Sequence, residues 1–292
     1  MFKTLAIIVL SLTVLTSCST EKYQKLKISS TTWIGYSPLF YAKEKGWLEP
    51  YNIKLSHVVS LSENMYLYEA GNADAYVGTQ YEYSVMSKKD NTLLPIIMFD
   101  RSYGGDLIMS NLSIEALQKA NHIDAYLELD SINNTLLTDF MDQHEIDVKK
   151  INYINKDQAS IATLQNSASL NPVIIVTYSP YNIKLEKSGF HEIASTKQDF
   201  SLFVVDAMFT KQATLNKHRE QFLALKKMVD KAIEESKQNP REFYETINPY
   251  LLELSYKEFT QSLQDIIWIN GDLDQALIER MQKANLPTQG IL

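Results

Sequence analysis

The chain has 292 residues, a length that suits about two domains. Its contents of 45% hydrophobic and 22% charged residues are ordinary for a globular protein. The formal net charge is -7 and no cluster of Lys and Arg stands out. We therefore expect no nucleic-acid partner, because phosphate contacts need clustered positive charge.

The first 18 residues form a unit that differs from the rest of the chain. Lys3 is followed by an apolar run from Leu5 to Leu15, which has the length of a signal-peptide core and is short for a membrane span. The run ends in the letters LTSC, which resemble the lipobox of bacterial lipoproteins and imply cleavage before Cys18 and acylation of its thiol. An ordinary cleaved signal peptide or a chance apolar stretch is the alternative.

Cys18 is the single cysteine of the chain, so a disulfide within the chain and a Cys-based metal or nucleophilic site in the folded part are excluded. We expect a signal peptide over residues 1–17 and a lipid-anchored tether over residues 18–25. Two or more acyl chains such as palmitate would give stable anchoring. The protein is then expected in the cell envelope, held to a bacterial membrane and facing the periplasm or the exterior.

From Leu26 onward, short apolar strands alternate with segments of helix length. Ser37 is predicted to cap the first helix, Pro38 to occupy its first turn and Gly46 to end it. The repeated strand–helix unit favours a mainly parallel sheet with covering helices. The strands of this first run are predicted at 26–31, 53–59, 74–78 and 93–100, with further helices at 62–70 and 80–89.

A second run of strands and helices begins near Leu107, and a nearly all-helical tail follows it. The run predicts strands at 106–110, 125–129, 151–154, 173–177 and 190–193, and helices at 113–119, 131–144, 157–167 and 179–187. The tail predicts a strand at 200–210, one long amphipathic helix at 211–237 and two short helices. Two such runs indicate two α/β lobes, with the chain crossing between them near 101–106 and 202–207.

Four motifs occur in order along the chain: "TTWIGYSPLFYAKEKGWLE", "EAGNADAYVGTQYE", "DRSYGGDLIMS" and "VTYSPY". Together they resemble the solute-binding proteins of the nitrate, sulfonate, taurine and thiamine-pyrimidine type, over about Leu26 to Ile269. The resemblance implies the type 2 periplasmic-binding-protein fold, in which two α/β lobes close on one small ligand. It implies a discontinuous lobe 1 (26–105 and 206–292), which includes the C-terminal helices, and a lobe 2 (106–205).

The motifs place loops 32–37, 79–82, 101–106 and 177–181 at the ends of strands. In open α/β sheets ligands bind beyond the carboxyl ends of strands, where free N–H groups of helix starts attract polar or anionic groups. We therefore expect the loops to converge on one cleft. The candidate ligand contacts are Trp33, Tyr36, Ser37, Gln80, Glu82, Arg101, Ser102, Asp106, Thr177, Tyr178 and Asp206.

Most candidates have a structural alternative. The aromatic rings of Trp33 and Tyr36 either form a wall for the ligand or pack at the edge of a lobe. Ser37 either caps a helix or offers its backbone N–H to the ligand. Gln80 and Glu82 begin a helix, where an acid also interacts favourably with the helix dipole.

The remaining candidates are also open to two interpretations. Arg101 binds an anion or pairs with a nearby acid, either Asp100 or Glu82. Asp106 and Asp206 contact the ligand or serve as structural hydrogen-bond acceptors.

Two departures from the family pattern bear on the ligand. In the third motif Ser102, Gly104 and Asp106 match, whereas Gly105 departs and is expected to loosen a hinge. In the fourth motif Thr177, Tyr178 and Pro180 match, but Ser179 stands where the family more often has an acid. An acid would favour a cationic ligand group, so its absence argues against an amine-bearing ligand at this position.

These features predict a lipid-anchored solute-binding protein that delivers a small polar organic molecule or anion to an ABC importer. The alternative is a ligand-binding module that reports to a membrane-bound sensor. Some relatives are enzymes that use a cysteine cluster with His and Lys, but this chain has no cysteine beyond Cys18, and its five His show no metal-ligand spacing. We expect a monomer with no enzymatic activity, no cofactor and no metal.

Overall fold

The computed structural model describes residues 22–167, 170–197, 203–269 and 273–292. The predicted signal peptide and Cys18 lie outside the described residues. The described strands are β1 (Leu26–Ser30), β2 (Ile53–His57), β3 (Ala75–Thr79), β4 (Leu93–Ser102), β5 (Asp106–Ser110), β6 (Ile123–Leu127), β7 (Ile151–Asn155), β8 (Val173–Tyr178), β9 (His191–Ser195), β10 (Val205–Lys211) and β11 (Ile266–Trp268).

Helices cover both sheets. The described α-helices are α1 (Ser37–Glu44), α2 (Leu61–Glu69), α3 (Gln80–Ser87), α4 (Ile114–Lys119), α5 (Ile132–Gln143), α6 (Gln158–Ile161), α7 (Tyr181–Lys187), α8 (Gln212–Lys217), α9 (Arg219–Gln238), α10 (Pro240–Ile247), α11 (Tyr256–Ser262) and α12 (Gln275–Lys283). No helix in these described ranges is both long and apolar enough to cross a membrane.

The strands form two separate sheets, which confirms the predicted two-lobed α/β fold. The first has the order β11-β4-β10-β3-β1-β2, and the second has the order β7-β6-β8-β5-β9. We call the first sheet with its helices lobe 1 and the second with its helices lobe 2. The chain passes from lobe 1 to lobe 2 between Ser102 and Asp106, and returns between Ser195 and Val205. The residue boundaries predicted for the lobes remain a prediction.

The prediction of a mainly parallel sheet was wrong. Strands β1, β2 and β3 run parallel, but β10 lies antiparallel between β3 and β4, and β11 is antiparallel to β4. In the second sheet β5 is likewise antiparallel to both of its neighbours, β8 and β9. Strands β5 and β10 are the two that follow the crossings between lobes. They enter their sheets from the other lobe, so no local strand–helix–strand unit fixes their direction.

Amphipathic helices build the core of lobe 1. Helix α9 buries Phe222, Leu225, Val229 and Ile233, whose spacing of three and four residues keeps them on one face. This face packs with α1 and α10, where Phe243 is fully buried. The core of lobe 2 forms around β5, β6 and β8 beneath α5.

Several predicted elements differ in extent. The helix predicted at 211–237 is broken at His218, which is not helical and whose ring nitrogen lies 2.7 Å from Gln221 Oε1 at the start of α9. The helix predicted at 157–167 ends at Ile161. The chain beyond it turns toward the end of α7, where the backbone N–H of Asn166 donates to the carbonyl of Ser188. Strand β10 begins only at Val205, and β11 and α12 were not predicted.

The start of α1 corrects the predicted cap. A short 3-10 turn over Ile34–Tyr36 leads directly into the helix, so Ser37 is its first residue rather than its cap. The Ser37 hydroxyl makes no hydrogen bond among the described residues. Gly46 ends this segment in a left-handed conformation with φ +70°, as predicted.

Candidate interlobe binding site

An enclosed cavity lies where the strand ends of the two lobes meet. Lobe 1 contributes Thr31, Trp33, Tyr36, Leu61, Thr79 and Asp206, and lobe 2 contributes Asp106, Ile132 and Tyr178. The cavity volume is about 10 Å³, roughly the room that one water molecule needs. The lobes are therefore closed on this cavity.

Aromatic rings form one wall. The Trp33 indole packs edge-to-face on Tyr178 of lobe 2, with ring centroids 5.9 Å apart. Its Nε1–H donates to both carboxylate oxygens of Asp100, at 3.1 and 3.2 Å. The Tyr36 ring packs on Phe99 in the same way, with centroids 5.5 Å apart. Each ring is thus held in a fixed orientation by a polar or aromatic neighbour.

Two glycines allow this packing. A Cβ atom on Gly35 would overlap the Asp100 carboxylate, and one on Gly105 would overlap the Trp33 ring and lie 3.0 Å from the carbonyl oxygen of Asp265. Gly104 has φ +111°, a conformation that L side chains rarely adopt. Gly105 thus provides close contact with an aromatic ring, and the loosening of a hinge by this glycine stays a prediction.

Buried carboxyl groups form the polar wall. Asp106 and Asp206 line the cavity and are 4% and 3% exposed. The Tyr36 hydroxyl donates to Asp206 Oδ1. Asp106 Oδ2, the Tyr178 hydroxyl and the Thr31 hydroxyl are buried without a hydrogen-bond partner among the described residues. Unpaired buried polar atoms are uncommon in proteins, and here three of them occur at one cavity.

The electrostatic consequence is a set of raised pKa values. Burial raises the pKa of Asp106 to about 7; the Ser102 hydroxyl acts in the opposite direction, and the charge of Glu82 raises it further. Burial also raises the pKa of Asp206 well above its usual range, and the charges of Asp100 and Asp106 add to this. No group of three or more His, Cys, Asp or Glu side chains in the described part of the chain could hold a metal ion.

Two glutamates join the lobes beside the cavity. Glu82 of lobe 1 accepts from the backbone N–H of Thr79 at 2.8 Å and, through Oε1, from the N–H of Ile132 in lobe 2 at 3.2 Å. Glu128 of lobe 2 accepts from the N–H of Leu61 in lobe 1 at 3.3 Å and from the N–H of Gln158 at 3.2 Å. Each carboxyl group thus meets the first residue of a helix in the other lobe, where the helix dipole favours negative charge.

The structure brings together five of the candidates predicted from the sequence. These are Trp33, Tyr36, Asp106, Tyr178 and Asp206, and all five line the cavity. They come from the ends of strands or from the chain crossings, which is the placement that the motifs predict.

The side chains of three other candidate residues form hydrogen bonds within the protein. The Gln80 side chain accepts from the N–H of Val205 at 3.1 Å and thereby fixes the start of β10. The Thr177 hydroxyl donates to Gln158 Oε1 at 2.8 Å. Glu82 uses both of its oxygens for the backbone contacts described above. These three residues do not line the cavity.

Ser37, Arg101 and Ser102 also lie away from the cavity. Ser37 lines a separate small void. The Ser102 hydroxyl lies 2.7 Å from the Thr196 hydroxyl and joins the two crossing segments of the chain. Arg101 lies over the Tyr103 ring, with its guanidinium carbon 5.7 Å from the ring centroid. Among the described residues the Asp100 carboxylate bonds to Trp33 and the Glu82 carboxylate to backbone N–H groups.

Sequence reasoning missed several cavity residues. Thr31, Leu61, Thr79 and Ile132 line the cavity. Thr31 and Thr79 lie at the ends of β1 and β3, so the rule that selected the loops after these strands could have included them. Ile132 is brought to the cavity only by closure of the lobes.

A larger, open pocket lies beside the cavity and has a different character. Its volume is about 770 Å³, and Arg101, Lys197, Arg280 and Lys283 contribute to its lining. The enclosed cavity combines aromatic rings with buried unpaired polar atoms, which are features of small-molecule sites. We therefore take the enclosed cavity as the candidate site.

Comparison with known proteins agrees with this fold. A family model described as NMT1/THI5 like matches residues 33–243, which is more than half of the chain. No curated protein sequence matches the chain significantly.

Solved structures with the same fold include transport proteins. The alkanesulfonate-binding protein SsuA from Xanthomonas axonopodis pv. citri, bound to MOPS, has a TM-score of 0.70 at 11% identity, covering 92% of this chain and 98% of that chain. The periplasmic nitrate-binding protein NrtA from Synechocystis PCC 6803 has a TM-score of 0.65 at 13% identity, covering 88% and 75%. A ligand-binding component of an ABC-type import system from Staphylococcus aureus has a TM-score of 0.67 at 14% identity, covering 90% and 94%. The TM-scores establish a shared fold, and at such low identities the comparison shows the fold alone.

Proposed function

The chain belongs to the NMT1/THI5-like family, and we propose that it is an extracytoplasmic solute-binding protein that captures a small molecule between its lobes and delivers it to an ABC importer. The observation that carries this proposal is the enclosed interlobe cavity with its unpaired buried Asp106 and Tyr178 oxygens. Buried polar atoms without partners are costly unless another molecule satisfies them. A solute bound there would supply the missing partners.

Capture is expected to follow from closure of the lobes. The cavity takes walls from both lobes, so a solute can enter only when they separate. Binding energy would then favour a state in which both lobes contact the solute, slightly more open than the fully closed state in which Glu82 and Glu128 reach helix starts across the cleft. The importer would recognise the surface that closure brings together. We infer binding without chemical change, since the structural neighbours named above are binding proteins or importer components.

We further propose that Cys18 carries the lipid anchor and that residues 18–25 tether the protein to the membrane. The lipobox-like sequence supports this arrangement. The test is to express the wild type and Cys18→Ala in a bacterial host and fractionate the cells. Wild type should sediment with membranes and Cys18→Ala should not; equal distribution of the two would contradict the anchor.

The transport role is tested with the purified protein. A thermal-shift screen against amines, sulfonates, nitrate, pyrimidines and amino acids should find at least one class of solute that raises the melting temperature. The stabilising solute and the binding protein together should then stimulate ATP hydrolysis by the cognate permease in proteoliposomes. A screen in which no class of small solute stabilises the fold would contradict the proposal.

A further inference from the structure

We propose that the solute is a small organic cation, a protonated amine or amidine whose N–H groups bond to the carboxylates of Asp106 and Asp206. This inference rests on the proposed function and names the class of solute for the same cavity. It follows from the kind of polar atom that lines the cavity, from the charge of its walls and from its aromatic surface.

Carboxyl groups of Asp106 and Asp206 are the charged members of the polar lining, and an ionised carboxylate only accepts hydrogen bonds. Asp106 Oδ2 is buried without a partner, and Asp206 faces the same cavity with one oxygen bonded to Tyr36. The Tyr178 and Thr31 hydroxyls are also unpaired and can either donate or accept. A solute that satisfies this wall must bring N–H or O–H donors, and an ionised amine or amidine brings several.

The charge of the lining points to the same conclusion. Among the described residues that line the cavity, there is no Lys, Arg or His to balance Asp106 and Asp206. Asp100 lies directly behind, bonded to the Trp33 indole, and burial raises its pKa well above the usual range; in its ionised form it adds to the negative potential at Asp206. Buried carboxylates need a cationic partner or a proton. A solute cation would supply that partner, whereas a sulfonate or nitrate would meet like charge.

Aromatic and apolar side chains complete the site. The rings of Trp33 and Tyr178 present π surface, which attracts an ammonium or amidinium group. Leu61 and Ile132 provide apolar contact for the body of the solute. The cavity as closed here has room for about one water molecule, so the lobes must stand further apart around a bound solute, and a compact solute needs the least opening.

A cationic solute differs from the one that the fourth sequence motif predicts. Ser179 stands where the family more often has an acid, and an acid there would favour a cationic group. The absence of that acid predicts a solute without an amine at this position. The structure supplies the acids from other elements: Asp106 begins β5 and Asp206 lies in β10, the two strands that follow the crossings between lobes. Their convergence depends on the tertiary fold and is not visible in the "VTYSPY" motif.

The experiment compares matched solutes that differ in charge. The cations are methylguanidine and benzamidine, the neutral analogues are methylurea and benzamide, and the anions are methanesulfonate, benzenesulfonate and nitrate. Calorimetric titration at pH 7.5 should detect binding among the cations only. Asp106→Asn should weaken binding of the cation by about 10- to 100-fold, the usual cost of losing a hydrogen bond to a charged group. Asp142→Asn, which removes an exposed carboxylate from α5, should leave it unchanged.

Proton release provides a second readout. A bound cation favours ionised carboxylates, so its affinity should rise between pH 6 and pH 8, and titrations in buffers of different ionisation enthalpy should show protons leaving the complex. Asp106 titrates among Asp100, Asp206 and Glu82 and the phenols of Tyr36 and Tyr178. Affinity that falls over this range would contradict a cationic solute.

The outcomes separate the two proposals. Binding of the sulfonates or nitrate, with the cations inactive, would overturn the cationic solute and leave the solute-binding function intact. Binding of the neutral analogues equal to that of the cations would also overturn it. Failure of every member of this series and of the wider screen would contradict the solute-binding function itself.

Discussion

Acidification from pH 8 to pH 5 should stabilise the solute-free protein. Asp106 has a pKa raised by burial to about 7 in the folded state, against an ordinary value of 3.8. As the pH falls through 7, the folded protein takes up a proton that the unfolded chain does not yet bind, so the free energy of unfolding increases. Each pH unit contributes about 1.4 kcal/mol per group, so Asp106 alone contributes about 3 kcal/mol by pH 5.

Other groups modify this slope in known directions. Burial raises the pKa of Glu128 to about 8, which adds to the gain on acidification. His57 acts in the opposite direction, because burial lowers its pKa and the unfolded chain therefore binds more protons near pH 6. Hydrogen bonds with Thr92 lower the pKa of Asp90 to about 2. The pKa of Asp124 is also lowered, because its hydrogen bonds outweigh the effect of burial. Both carboxyl groups therefore titrate below this range.

Urea denaturation at intervals between pH 5 and pH 8 measures the slope. The wild type should lose stability as the pH rises, and Asp106→Asn should show a slope smaller by about one proton over pH 5 to 7. Asp142→Asn should follow the wild type, since it removes an exposed carboxylate. A flat or rising wild-type profile, or an Asp106→Asn profile with the wild-type slope, would refute the reasoning.

Three further predictions concern the walls of the cavity and its closure. Gly105→Ala should cost about 1–3 kcal/mol of unfolding free energy and weaken solute binding, because its methyl group would overlap Trp33; wild-type values in denaturation and titration would contradict this. Tyr178→Phe removes a buried hydroxyl that has no partner in the described structure. Its solute-free stability should stay equal or rise by up to about 1 kcal/mol while titrations show weaker solute binding, and a clear loss of stability would argue against an unpaired hydroxyl. Glu128→Ala removes the acceptor for Leu61 and Gln158, so X-ray scattering should show a larger radius of gyration than for wild type; an unchanged radius would mean that this contact does not hold the lobes together.

The sequence predicted those parts of the site that local patterns determine. Loops at strand ends located Trp33 and Tyr36 in lobe 1 and Tyr178 in lobe 2, because ligands of open α/β sheets bind beyond the carboxyl ends of strands. The two crossings located Asp106 and Asp206. The order of strands and crossings along the chain was enough to predict that these residues lie at the cleft.

Features that depend on the register between distant segments were not predicted. Asp100 bonds to the Trp33 indole because Gly35 leaves room for its carboxylate. Nothing in the sequence around Trp33 indicates Asp100, and nothing around Asp100 indicates Trp33. Glu82 fits a helix cap in sequence, yet its second oxygen reaches Ile132 across the cleft only when the lobes close. Strand β10 runs antiparallel to β3 and β4 because the chain enters it from lobe 2. The repeated strand–helix pattern of the sequence does not indicate this direction.

Hydrogen exchange with and without the stabilising solute tests the central claim most directly, since it reports local protection along the chain. An interlobe site predicts that the solute protects backbone amides around Trp33 and Tyr36 in lobe 1 together with those around Asp106 and Tyr178 in lobe 2. Protection confined to one lobe, or to the lining of the open pocket around Lys283, would contradict the account.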